Sequence, residues 1–78
     1  MPVFMNYRDI ADDMEARIRR GEYPRGGKLP TYAEVAAMYS VSHSTVARVF
    51  LAMRERGLTD SAPGKGVFVA EELTPRRV

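Results

Sequence analysis

Apolar side chains at Tyr7, Ile10, Ala11, Met14 and Ile18 recur with i, i+3, i+4, i+7 and i+11 spacing, which is one stripe along an α-helix. Asn6 precedes the stripe and Asp9 follows three residues later, so a capping box opens the helix, with Asp shorter than the usual Glu. Arg8, Asp12, Asp13, Glu15, Arg19 and Arg20 fall off the stripe and read as a solvated face. Gly21 closes the helix. The segment Glu22-Tyr23-Pro24-Arg25-Gly26-Gly27-Lys28 is dense in chain breakers and reads as a loop. Leu29-Pro30 then reads as a very short strand that pairs with a later hairpin.

Thr31 with Glu34 forms a second capping box. Val35, Ala36 and Tyr39 supply the buried side of the helix it opens, and Ser40-Val41 makes a turn. Ser42 caps a third helix with a core stripe at Val46, Val49, Phe50 and Met53, ended by Gly57. His43, Ser44, Ala47 and Arg48 lie outward at its start. Arg54 and Arg56, near its end, offset the helix dipole. Thr59 to Ala62 and Val67 to Ala70 read as strands joined by Pro63-Gly64-Lys65-Gly66. Two short helices joined by a tight turn over Leu29 to Phe50 have the form of a helix-turn-helix, whose second helix enters the DNA major groove. The expected fold class is α+β: a winged helix-turn-helix, three helices followed by a two-stranded β-hairpin wing. One domain is expected over residues 1–70, with residues 71–78 a flexible C-terminal tail.

With 78 residues there is no room for a second domain. A chain this size hides only roughly 60% of its unfolded surface, so a stability of about 4–8 kcal/mol is expected. The absence of cysteine removes disulfides and thiolate metal sites. No apolar run reaches the length of a membrane span, and the first residues lack the form of a secretory leader. A cytoplasmic protein without membrane contact is expected. Net charge is only +2, but its distribution is uneven. Residues 1–22 carry four basic and five acidic side chains, whereas residues 23–66 carry six and three. The positive excess therefore falls on the helix-turn-helix and the hairpin.

The candidate contacts follow from that placement. Ser42, His43, Ser44 and Thr45 put small hydrogen-bonding side chains on the first turn of the third helix, where base edges and phosphates approach. Arg48, one turn on, suits a bidentate contact to guanine or a phosphate clamp. Thr31 and Tyr32, at the start of the second helix, are candidate phosphate contacts. Lys65 with Gly66 gives the hairpin a basic tip for a minor groove or a phosphate strand. That tip is no phosphate loop, since the GxxxxGK[ST] spacing is missing and no helix follows. A single histidine and no paired carboxylates on an apolar cleft leave no basis for a metal, a cofactor or an enzyme.

The ordered set Tyr7, Ile10, Ile18, Gly21, Leu29-Pro30-Thr31, Glu34-Val35-Ala36, Val41-Ser42, Thr45-Val46, Gly57-Leu58 and Gly64-Lys65-Gly66-Val67-Phe68-Val69 resembles the N-terminal DNA-binding domain of GntR-family bacterial transcription regulators. The resemblance spans residues 7–70 and implies operator binding and transcriptional control. It carries over Thr31, Ser42, Thr45, Arg48, Lys65 and Gly66 as contact positions. It departs where the family has Ser-Glu-Arg and this chain has Thr31-Tyr32-Ala33, and where family arginines stand at His43 and Ala47. Those arginines contact DNA in the family, so the operator is expected to differ from the common family site. Family members also carry a C-terminal domain that binds a metabolite and dimerises the protein. Nothing in this sequence supplies it.

The expectation is a sequence-specific DNA-binding regulator without an effector-binding domain, bound to double-stranded operator DNA with no small-molecule effector in this chain. It would be a monomer in solution or a weak homodimer on an inverted repeat. Two rival readings use the same fold: an architectural or excisionase-like factor that bends its site, and a protein-interaction winged helix.

Overall fold

A computed structural model describes residues 6–73. The expectations for residues 1–5, and for residues 74–78 of the tail, lie outside the described residues. The elements run α1 (Tyr7–Arg19), α2 (Tyr32–Tyr39), α3 (His43–Glu55), β1 (Thr59–Ala62) and β2 (Gly66–Val69). This is the three-helix, two-strand winged architecture that the sequence predicts.

Local signals place each helix. Asn6 Oδ1 accepts from the Asp9 N–H at 3.0 Å while the Asp9 carboxylate accepts from the Asn6 N–H at 3.4 Å, so the short Asp completes the box with one long bond. For α2, Thr31 Oγ1 accepts from the Glu34 N–H at 3.1 Å and the Glu34 carboxylate from the Thr31 N–H at 2.8 Å. α3 ends in two crossed bonds, Gly57 N–H to Arg54 C=O and Leu58 N–H to Met53 C=O, with Met53 and Leu58 both buried. Its stripe of Val46, Val49, Phe50 and Met53 packs between α1 and α2, against Ile10, Ala11, Met14 and Ile18 of α1 and Val35 and Ala36 of α2. One core thus fixes the angle at which the start of α3 is presented.

The wing pairs antiparallel with Thr59 opposite Val69 and Ala62 opposite Gly66. β2 runs Gly66–Val69 rather than Val67–Ala70: Gly66 pairs with Ala62 at its start, and Ala70 leaves the ladder to donate its N–H to the Leu58 carbonyl. The other edge of β2 is covered by residues 26–29. Gly26 N–H donates to Val69 C=O, Val69 N–H to Gly27 C=O, and Leu29 N–H to Val67 C=O. The expected pairing of Leu29-Pro30 is therefore real at Leu29 but extends backwards, not forwards. Pro30 has no N–H to continue it.

Two expectations about charged residues fail. Glu15, which the helical period assigns to the solvated face, is buried and holds Arg19 and Arg56, each at 2.9 Å. Arg56 reaches back to α1, bonding Asp12 at 2.7 Å as well as Glu15, instead of merely offsetting its own helix dipole. The cause is tertiary: the end of α3 crosses the flank of α1, a contact between residues 41 positions apart that no helical period records. Asp13 is also drawn in, accepting from the Tyr39 hydroxyl at the end of α2 and from Arg17 at 3.0 Å.

The Tyr39 bond, more than any other contact, holds the Asp13 carboxyl below the usual carboxylate range, with Arg17 assisting against the opposing effect of burial. Tyr39→Phe should cost about 1 kcal/mol near neutral pH. A depressed carboxylate stabilises the fold above its unfolded value, and that contribution is lost as pH falls through the lower folded value. The gap between wild type and Tyr39→Phe in urea unfolding should therefore shrink between pH 7 and pH 3. A gap that stays constant would show that the bond does not depend on the charge of Asp13.

Candidate nucleic-acid interface

The start of α3 carries a knot of hydroxyls. Ser42 Oγ accepts from the Thr45 N–H at 3.3 Å and lies 3.0 Å from Ser44 Oγ and 3.1 Å from Thr45 Oγ1. Ser42 and Ser44 are exposed and Thr45 half-buried. Each hydroxyl has one donor and two acceptor sites, so the knot keeps capacity for an outside oxygen. His43, Ala47 and Arg48 are also exposed on this face.

The other predicted residues gather around a cleft of about 290 Å³ between the wing tip and the start of α2, which Thr31, Tyr32, Lys65 and Gly66 all line. Tyr32 is anchored there by stacking on Phe50, with ring centroids 4.5 Å apart and planes 9° from parallel, leaving its ring partly exposed. Thr31 already has its N–H and hydroxyl engaged with Glu34, whose carboxyl is held below the usual range chiefly by the Thr31 N–H. Arg48 belongs to neither group. It lines a separate groove of about 250 Å³ with Tyr7, Leu51, Ala52 and Glu55, on the α1 side of α3.

Lys28 is the residue that sequence reasoning missed. It lines the wing cleft opposite Lys65, and its backbone bridges to Phe68 of β2. Its side chain runs along Gly66, where a Cβ would stand 3.0 Å from Lys28 Cε, so a glycine there makes room for the lysine. The signal was available: a strand pairing at Leu29 implies that the preceding residue meets the wing.

The electrostatics separate the two sides of the molecule. Arg17, Arg19, Arg20 and Arg56 are all paired with Asp12, Asp13, Glu15 or Glu22. Arg17, Arg19, Arg20 and Arg56 are thus largely neutralised, while among the described residues Lys28, Arg48, Arg54 and Lys65 on the helix-turn-helix and wing form no ion pair, nor do Arg8 and Arg25. Among the described residues no cluster fit to hold a metal ion occurs, and no helix is long and apolar enough to cross a membrane.

Residues 6–69 match the model of a family described as bacterial regulatory proteins, gntR family. The chain belongs to the GntR family. Over 66 residues this GntR-family chain is 35% identical to the HTH-type transcriptional regulator YhcF of Bacillus subtilis, covering 85% of this chain and 54% of that protein. Over another 66-residue match it is 36% identical to MngR of Escherichia coli, the mannosyl-D-glycerate transport/metabolism system repressor, covering 85% and 28%. It thus spans about half and about a quarter of these two relatives. The DNA-binding domain of AraR, solved in complex with operator ORX1, superposes with a TM-score of 0.80 at 26% identity, covering 87% of this chain and 82% of that one. These relatives are regulators, not enzymes, and the GntR winged helix is the fold seen here.

Proposed function

We propose that this domain binds double-stranded operator DNA with sequence preference and controls transcription, with α3 in the major groove and the wing along the sugar–phosphate strand. The observation that carries the reading is the segregation of charge. Among the described residues Lys28 and Lys65 on the wing cleft and Arg48 on α3 form no ion pair, while Arg17, Arg19, Arg20 and Arg56 are held by carboxylates. Ser42, His43, Ser44 and Thr45 approach base edges and phosphates from the first turn. Lys28, Thr31, Tyr32, Lys65 and Gly66 follow the backbone from the wing cleft. The domain is a monomer in solution, or a weak homodimer that forms on an inverted repeat, and needs no small-molecule effector of its own to bind.

Titrating a duplex at increasing salt tests this reading. Two phosphate contacts, from Lys28 and Lys65, predict a log–log slope of about −1.8, and a third from Arg48 acting as a clamp would make it about −2.7, at about −0.9 per contact. Affinity that does not change with salt would contradict it. Arg48→Ala separates base reading from clamping. The expected result is relaxed preference at one operator position, with a discrimination loss of about 1–3 kcal/mol there. Equal weakening on every sequence would reduce Arg48 to a phosphate contact.

A further inference from the structure

The outward face of α3 is not uniformly polar. Ser44, Ala47, Arg48 and Leu51 recur at i, i+3, i+4 and i+7, on the side turned from buried Val46, Val49, Phe50 and Met53. Two of the four carry only hydrocarbon. Leu51 is 57% exposed, the most exposed large apolar side chain of the described residues, and Ala47 is exposed beside it.

Charge indicates what covers them. From Ser44 to Leu51 the stripe holds no carboxylate, and Arg48 between the apolar pair has no ion-pair partner among the described residues. The first acid, Glu55, comes one turn beyond Leu51 and shares its groove with Arg48 and Tyr7, so a phosphate is repelled there and the contact ends at Leu51. A surface that is cationic, hydroxyl-bearing and locally apolar fits a polyanion with methyl groups in its groove. In the DNA major groove that apolar group is the C5 methyl of thymine.

Resting on the DNA-binding reading above, we propose that Ala47 and Leu51 read thymine methyl groups, so that the operator half-site carries thymine at the positions facing them. The two side chains lie about 6 Å apart along the helix axis, which is about two base steps. Neither can donate a hydrogen bond to guanine, so selection at these positions comes from methyl contact. Arg48 supplies the hydrogen-bonding contact beside them.

Uracil substitution tests this directly, because it removes the methyl and keeps the pairing. In a duplex selected for binding, replacing each thymine in turn should weaken affinity about fourfold per buried methyl, at two positions of the half-site only. Leu51→Ala and Ala47→Ser should each abolish the sensitivity at a different position. Both residues are exposed, and a melting curve checks that the variants fold. A tightly bound selected duplex with no uracil-sensitive position would overturn the assignment. So would variants with the wild-type profile, which would leave Leu51 to a protein partner. Failure to bind any duplex would instead overturn the DNA-binding reading itself.

Discussion

Replacing Lys28 and Lys65 together by alanine should lower duplex affinity about thirtyfold at about 0.15 M salt and reduce the salt slope by about 1.8. The loss should be the same for every sequence, because both lysines flank the wing cleft rather than the outward face of α3. Lys28→Ala alone should account for about half of the change in slope. That single variant matters most, since Lys28 enters the account only through the structure. A double variant with an unchanged slope would remove the cleft from the DNA path and leave the wing a structural hairpin. Both side chains are exposed and neither supports the core, so the variants should melt as wild type does.

Glu15→Ala should have the largest effect on stability, about 2 kcal/mol. Removing one partner of a buried ion pair costs roughly 3–5 kcal/mol. Here Arg19 and Arg56 stay 35% and 28% exposed, and water reclaims part of that cost. For a domain of this size the expected fall in Tm is roughly 8–16 °C. Glu15→Leu should cost less, since a buried apolar side chain is a fair replacement for a buried charge once both arginines can reach solvent. The salt slope of DNA binding should not move in either variant, because Glu15 lies on α1 beside the far end of α3. A Tm within about 2 °C of wild type would return Glu15 to the solvated carboxylates that its position in the sequence implies.

What could be read from the chain depended on range. The stripes of α1 and α3, the boxes at Asn6–Asp9 and Thr31–Glu34, and the hairpin around Gly64 are encoded within a few residues, and they appear where expected apart from a one-residue shift of β2. Glu15 and Arg56 were misplaced because their partners are about 40 residues distant. The role of Lys28 depends on which edge of β2 the loop covers. The candidate contacts divided in the same way. Their residue types were legible from cap positions and turn chemistry. Their grouping was not: Thr31, Tyr32, Lys65 and Gly66 share one cleft while Arg48 lines another.

The central claim is that α3 and the wing together recognise a DNA sequence. Selecting bound duplexes from a random library at two salt concentrations tests it most directly. The account predicts an enriched motif containing thymine, arranged as a spaced inverted repeat if two copies bind together, with affinity that falls as salt rises. Salt-sensitive binding without any enriched motif would contradict sequence recognition and point to an architectural role, and no binding at either salt would contradict the whole assignment.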